Sequence, residues 1–216
     1  MKYKGLIFDL DGTLLDTLRD LADAANASLD HFGFPVHPID SYRYFVGEGL
    51  HTLVQRILPD SATEKDVEKL MEKFAEIYTT NWNATSAPYP GIVDMLQSLS
   101  EAGVQLAVLS NKPHTFTKIC VDTFLPDCSF AYVYGQRDGI ARKPDPVGAL
   151  EIAEKMNLSV DEILYVGDTA TDMQTGNNAG MKTIGVEWGF RERKELEENN
   201  AWKIVSTPAE VVSYAL

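Results

Sequence analysis

Residues able to do chemistry gather in four short stretches of this 216-residue chain. They are Asp9-Leu10-Asp11-Gly12-Thr13, Ser110-Asn111-Lys112, Lys143-Pro144-Asp145-Pro146 and Gly167-Asp168-Thr169-Ala170-Thr171-Asp172. Brought to one place, their aspartates repel each other and stay ionised only beside a cation. With oxygen donors alone and no His or Cys at hand, the ion is a hard one, magnesium above all. Such an ion keeps several waters and bridges to a phosphate. Ser110 and the backbone amide of Asn111 offer donors to phosphate oxygens, and Lys143 supplies positive charge.

Each stretch also has a plain structural reading. Asp11-Gly12 is a common turn pair, and Asp145 ahead of Pro146 suits the start of a helix. Thr169 with Asp172, or Ser110, could cap the helices that follow. Position favours chemistry over capping. Short apolar runs at 3–8, 104–109, 130–134 and 163–166, with another at 183–186, read as buried strands. The four polar stretches follow the first four of these runs in order.

Between the runs, apolar residues mostly recur at helical spacing, as at Ile92, Met95, Leu96 and Leu99. Strands alternating with helices imply an α/β fold, a Rossmann-like parallel sheet with helices on both faces. In such sheets ligands bind at the carboxyl ends of the strands. The alternation breaks between residues 16 and 87, where no convincing strand occurs. One helical stripe there is Leu18, Leu21, Ala22, Ala25 and Leu29. Another is Val67, Leu70, Met71, Phe74 and Ile77, with Thr63 and Asp66 placed as a capping box. The expected organisation is a core of residues 1–15 and 88–216, with an all-helical cap, 16–87, inserted after the first strand. Residues 87–91 form the return linker.

A hydrophobic share of 44% is enough to bury a sizeable core. The formal charge of −13 argues against a nucleic-acid partner, which needs clustered Lys and Arg. It also means that a site for an anion must concentrate its few cations locally. The apolar run before Asp9 is too short for a membrane span or a signal-peptide core, so a cytoplasmic protein with no membrane partner is expected. Cys120 and Cys128 read as two thiols rather than a disulfide. His31, His37, His51 and His114 lack metal-binding spacing, and Trp82, Trp188 and Trp202 read as packing residues.

The ordered set Asp-Leu-Asp-Gly-Thr-Leu-Leu-Asp-Thr, Leu-Ser-Asn-Lys, Arg-Lys-Pro-Asp-Pro and Gly-Asp-Thr-Ala-Thr-Asp-Met resembles the four motifs of the haloacid dehalogenase-like hydrolases. The stretches 176–181 and 185–189, and the helical insert, are similar to the phosphoglycolate phosphatase branch. The resemblance implies a phosphatase in which Asp9 attacks phosphorus and becomes an aspartyl-phosphate. Asp11 would protonate the leaving alcohol and then activate water. Mg2+ would be held by Asp9, the backbone carbonyl of Asp11 and Asp168, with Asp172 orienting that shell. The substrate would be a small phosphorylated metabolite, 2-phosphoglycolate first among them, and the enzyme a monomer or homodimer.

In the cap, Gly47, Glu48 and Gly49 form a loop able to approach the crevice or merely to join two helices. Arg43 could bind a substrate carboxylate or be a solvated surface residue. A sugar phosphomutase shares the motifs but commonly carries a histidine where this chain has Leu18-Arg19-Asp20-Leu21-Ala22. A pyrophosphate or nucleotide phosphatase would use the same core. A receiver-type phosphoaspartate switch would need neither Asp11 nor the insert.

Overall fold

The computed structural model describes residues 2–216 and divides into two compact units. One comprises Met1–Leu15 with Pro88–Leu216, and the other is Asp16–Ala87. The larger unit is built on six parallel strands, β1 (Gly5–Phe8), β4 (Gln105–Pro113), β5 (Tyr132–Gln136), β6 (Ile163–Gly167), β7 (Lys182–Val186) and β8 (Lys203–Val205). Their order across the sheet is β5-β4-β1-β6-β7-β8. The two connecting segments, β2 (Leu15–Asp16) and β3 (Ala87–Pro88), pair as a short ribbon. No helix among the described residues is long and apolar enough to cross a membrane.

The sheet is buried on both sides, as near-continuous apolar strands require. Ile7, Ala107, Leu109 and Tyr165 share one cluster with Ala149, Ile152 and Met156 of the helix Val147–Met156. Leu6 and Phe8 alternate to the other face and are equally buried. β1 lies at the centre, paired with β4 on one side and β6 on the other. The residues that follow β1 and β6 therefore leave the sheet side by side.

Three strands depart from the sequence reading. β5 starts and ends two residues later than the apolar run, because its far end pairs with β4 beyond an irregularity, Pro113 opposite Gln136. β4 itself runs on to Pro113, so Ser110, Asn111 and Lys112 lie within its final, irregular stretch rather than after it. β8 is three residues long, too short to carry a periodic signal.

In the smaller unit the helix Leu18–His31 buries Leu18, Leu21, Ala22, Ala25 and Leu29, and also Asp20. The helix Glu64–Asn81 starts on the expected capping box, with the Thr63 N–H donating to Asp66 Oδ2 at 2.9 Å. Its buried stripe is Val67, Leu70, Phe74 and Tyr78, with Phe74 and Tyr78 stacked at 5.3 Å. Tyr78 takes the place expected of Ile77, which sits half-buried beside the stripe.

Candidate active site

β1 delivers Asp9, whose N–H extends the ladder to the Val166 carbonyl at 2.9 Å. The chain then turns sharply, with the N–H groups of Thr13, Leu14 and Leu15 all donating to the Leu10 carbonyl. So Asp11-Gly12 is indeed a turn, and the turn is what holds both aspartates at the strand end. Asp168 follows β6 and is fully buried. It accepts from Thr13 Oγ1 at 3.0 Å on one oxygen and from the Phe190 N–H at 2.8 Å on the other. Only glycine fits around it. A Cβ on Gly12, at φ 89°, would come within 2.4 Å of Asp168 Oδ2, and one on Gly189 within 2.3 Å of its Cβ.

Asp172 does two jobs. Its Oδ2 accepts from Thr169 N–H at 3.1 Å and Thr169 Oγ1 at 2.7 Å, completing the capping box of the helix Ala170–Asn178. Its Oδ1 accepts from the Lys143 ammonium at 2.8 Å. The same ammonium lies 2.9 Å from Asp9 Oδ1, so one lysine is shared between two carboxylates. Asn111 fixes the lysine from behind. Its amide donates to the Lys143 carbonyl at 3.1 Å and accepts from the Lys143 N–H at 2.9 Å.

Carboxylate oxygens of Asp9, Asp168 and Asp172 lie within 4.8 Å of one another, all three residues buried. Burial, reinforced by Asp172 and Asp11 and opposed by Lys143, pushes Asp9 up to about 7. Burial, then Asp172 and Asp9, drives Asp168 well above the usual carboxylate range. For Lys143 burial disfavours the charge, yet Asp172 and Asp9 outweigh it and hold the ammonium well above its ordinary value. With all three carboxylates ionised, the single ammonium shared by Asp9 and Asp172 leaves a deficit of two positive charges. An all-oxygen donor set and that deficit together fit a hard divalent cation.

The structure thus gathers Asp9, Asp168, Asp172 and Lys143, with Asn111 bracing the last and Ser110 buried nearby on β4. The Asp11 carboxylate stands apart from the acidic cluster, against the Lys112 ammonium at 3.0 and 3.3 Å. Ser110 does not cap a helix. The helix His114–Phe124 starts after Pro113, and Ser110 Oγ accepts from the Lys112 N–H at 3.2 Å. Asp145 does serve the helix start, its Oδ1 accepting from Val147 N–H at 2.9 Å.

The smaller unit holds the remaining candidates. Arg43 is half-buried on the short helix Tyr42–Phe45. Gly47 and Gly49 take φ of 117° and 89°, and Glu48 pairs with Arg56. This loop joins two helices, Tyr42–Phe45 and Leu50–Ile57. Both cysteines are free thiols, Cys120 buried and Cys128 half-buried.

Several groups here carry no signal in residue type. Lys112 is a second lysine beside a strand end, a type that fits solvent, phosphate or carboxylate alike. Thr13 and the Asn111 side chain stand within motifs whose spacing assigns them no contact. Trp188 does more than pack, since its Nε1 donates to the Thr13 carbonyl at 2.9 Å. The Phe190 N–H is a backbone group, to which residue type gives no clue.

A family model for haloacid dehalogenase-like hydrolases matches residues 6–186. The phosphoglycolate phosphatase of Psychrobacter arcticus is 31% identical over 218 residues, covering 98% of this chain and 95% of the relative. That of Mesorhizobium japonicum is 32% identical, covering 89% of this chain and 86% of its own. A crystal structure from Lactobacillus delbrueckii subsp. bulgaricus, whose proposed activity is phosphoglycolate phosphatase, superposes with a TM-score of 0.95. It is 32% identical and covers 100% of this chain and 99% of its own. The chain belongs to the haloacid dehalogenase-like hydrolases, on their phosphoglycolate phosphatase-like branch, and is a phosphoric monoester hydrolase.

Proposed function

We propose that this enzyme is a magnesium-dependent phosphatase working through an aspartyl-phosphate on Asp9, with 2-phosphoglycolate as its substrate. The observation that carries the reading is the charge deficit of the buried Asp9, Asp168 and Asp172 cluster. Asp9, Asp168 and the Asp11 backbone carbonyl would hold Mg2+, which when bound supplies the missing charge and draws phosphate into the site. Asp172 keeps Lys143 in place and so acts on the site from behind.

The steps belong to the protein's own groups. The Asp9 carboxylate attacks phosphorus, its new O–P bond forming as the bond to the leaving oxygen breaks. Asp11 gives its proton to that leaving alkoxide. A water then attacks the phosphorus and the Asp9–phosphorus bond breaks. Asp11 takes the water's proton, and inorganic phosphate is released. Ser110, Asn111 N–H and Lys143 bind the phosphoryl oxygens as charge develops on them.

The unit Asp16–Ala87 is read as the cap, with Arg43 and the loop of Gly47, Glu48 and Gly49 recognising the part of the substrate beyond the phosphate. The setting is read as cytoplasmic, and the partner as a small phosphorylated metabolite. The test is a comparison of kcat/KM on 2-phosphoglycolate and on p-nitrophenyl phosphate. Lys143→Ala should lower both by a similar factor, since both carry the phosphate it binds. Arg43→Ala and Gly47→Val should depress 2-phosphoglycolate more than the aryl ester. Equal depression of both esters by the cap variants would end the proposed division of labour. Absence of 2-phosphoglycolate from the hydrolysed members of a phosphate-ester panel would end the substrate assignment.

A further inference from the structure

Lys112 is one of two lysines buried beside reactive carboxylates, and the reaction as written makes no use of it. Its side chain is 4% exposed and reaches both oxygens of Asp11, at 3.0 and 3.3 Å. Burying an ammonium removes it from water, which is unfavourable unless a partner and a fixed geometry compensate. Both are present. The Lys112 N–H donates to Ser110 Oγ at 3.2 Å, and its carbonyl accepts from Thr117 Oγ1 at 3.2 Å. Those contacts hold the backbone on both sides of the residue while the ammonium reaches Asp11.

The two partners of the pair differ in exposure. The Asp11 side chain is 18% exposed against 4% for Lys112, so the carboxylate is the partner with an accessible side. The lysine stands behind it. Work within the core is thereby divided. Lys143 serves Asp9 and Asp172, whereas Lys112 serves Asp11.

We propose that Lys112 is a positioning residue for proton transfer, holding the Asp11 carboxyl group in the orientation from which it protonates the leaving alkoxide. The inference rests on the phosphatase reading above. A carboxyl on a short side chain can rotate about two bonds. The Lys112 ammonium restricts that rotation, and misalignment of a proton donor is felt only where a proton must be delivered.

Leaving-group chemistry supplies the test. A p-nitrophenolate departs without protonation, whereas an alkoxide does not, and kcat/KM reports the steps up to that departure. The variants are Lys112→Met and Lys112→Gln. The substrates are p-nitrophenyl phosphate and 2-phosphoglycolate, or whichever alkyl phosphate the wild type hydrolyses fastest. On the alkyl ester kcat/KM should fall about 100-fold, the low end of what a general acid contributes, and on the aryl ester less than about 5-fold. Inhibition by inorganic phosphate should be unchanged, which also shows that the site is still folded. In an Asp11→Asn background, Lys112→Met should cost nothing further on the alkyl ester, because the two residues act as one. Equal losses on both esters, or additive losses in the double variant, would overturn the proposal. A wild type that hydrolyses neither ester would instead overturn the phosphatase reading on which it rests.

Discussion

Asp20 in the helical unit and Asp9 in the core are both buried carboxylates, and their surroundings treat them in opposite ways. Asp20 is 2% exposed and forms no ion pair among the described residues, yet it accepts from the Thr85 and Ser86 N–H groups at 2.9–3.0 Å. Both hydroxyls of that pair add bonds at 2.6 Å. Burial alone would raise its pKa, but the Ser86 and Thr85 hydrogen bonds outweigh it and leave Asp20 below the usual range. Asp9, also buried at 6% exposed, shares one lysine with Asp172 and is pushed up to about 7. Burial of an acid therefore does not mark a site. An acid whose environment is unfinished does, because something that is not protein must complete it.

The largest effect that could break this contrast is on turnover. Asp9→Asn should lower kcat by at least about 1,000-fold, roughly 4 kcal/mol of barrier, with far-ultraviolet circular dichroism unchanged. A folded variant keeping a tenth of the activity would remove Asp9 from the chemistry. Chelation comes next. EDTA should abolish phosphate release and Mg2+ restore it, with Ca2+ a poor substitute because it accepts more ligands at longer distance. Mg2+ should also raise the melting temperature of the wild type but not of Asp168→Asn. Full activity after exhaustive chelation would mean that the acidic cluster is complete as it stands.

Stability should separate the two aspartates in the other direction. Asp20→Ala strips four donors of a charged acceptor and should destabilise by about 3 kcal/mol, read as a lower urea midpoint. Asp9→Asn in metal-free protein should leave the midpoint unchanged or raise it, since it removes a repelling charge. The smallest effect is in the pH dependence. Asp20 has a lowered folded pKa, so its contribution is present above the unfolded value near 4 and is lost as pH falls through the folded value. Asp9 has a raised one, so without metal its ionisation works against folding as pH climbs from about 4 toward 7. The gap between wild type and Asp20→Ala should close in acid, and that between wild type and Asp9→Asn should open toward neutrality. Urea midpoints across that range would check both, and parallel curves for the two pairs would erase the distinction.

Asp9 and Asp168 were legible in the sequence because each sits just past a short apolar run, and Lys143 because a basic residue follows the loop after β5. β1 and β6 are neighbours in the sheet, so the motifs after them meet. Asp20 was not legible. The stripe of Leu18, Leu21, Ala22, Ala25 and Leu29 places position 20 off the apolar face, and its partners lie 65 residues away. Lys112 was invisible for a related reason. A lysine's type is compatible with solvent, phosphate or carboxylate, and only the irregular end of β4 selects the carboxylate. Sequence pattern reports which elements form and in what order, while pairings between polar side chains across long loops depend on where those elements finally lie.

The Asp20 contacts have a consequence for how such an insertion can be inherited. Thr85 and Ser86 join the last residues of the helical unit to the first turn of its first helix. Closing a loop of 65 residues costs on the order of 4 kcal/mol in chain entropy. Here the insert meets that cost with its own bonds, so its two ends come to the host already side by side. A host strand end then needs only one short gap to receive it. On this logic the segment behaves as a cassette, and exchanging it between relatives at the ribbon of β2 and β3 should preserve both pieces, provided the acid and its two hydroxyl partners travel together.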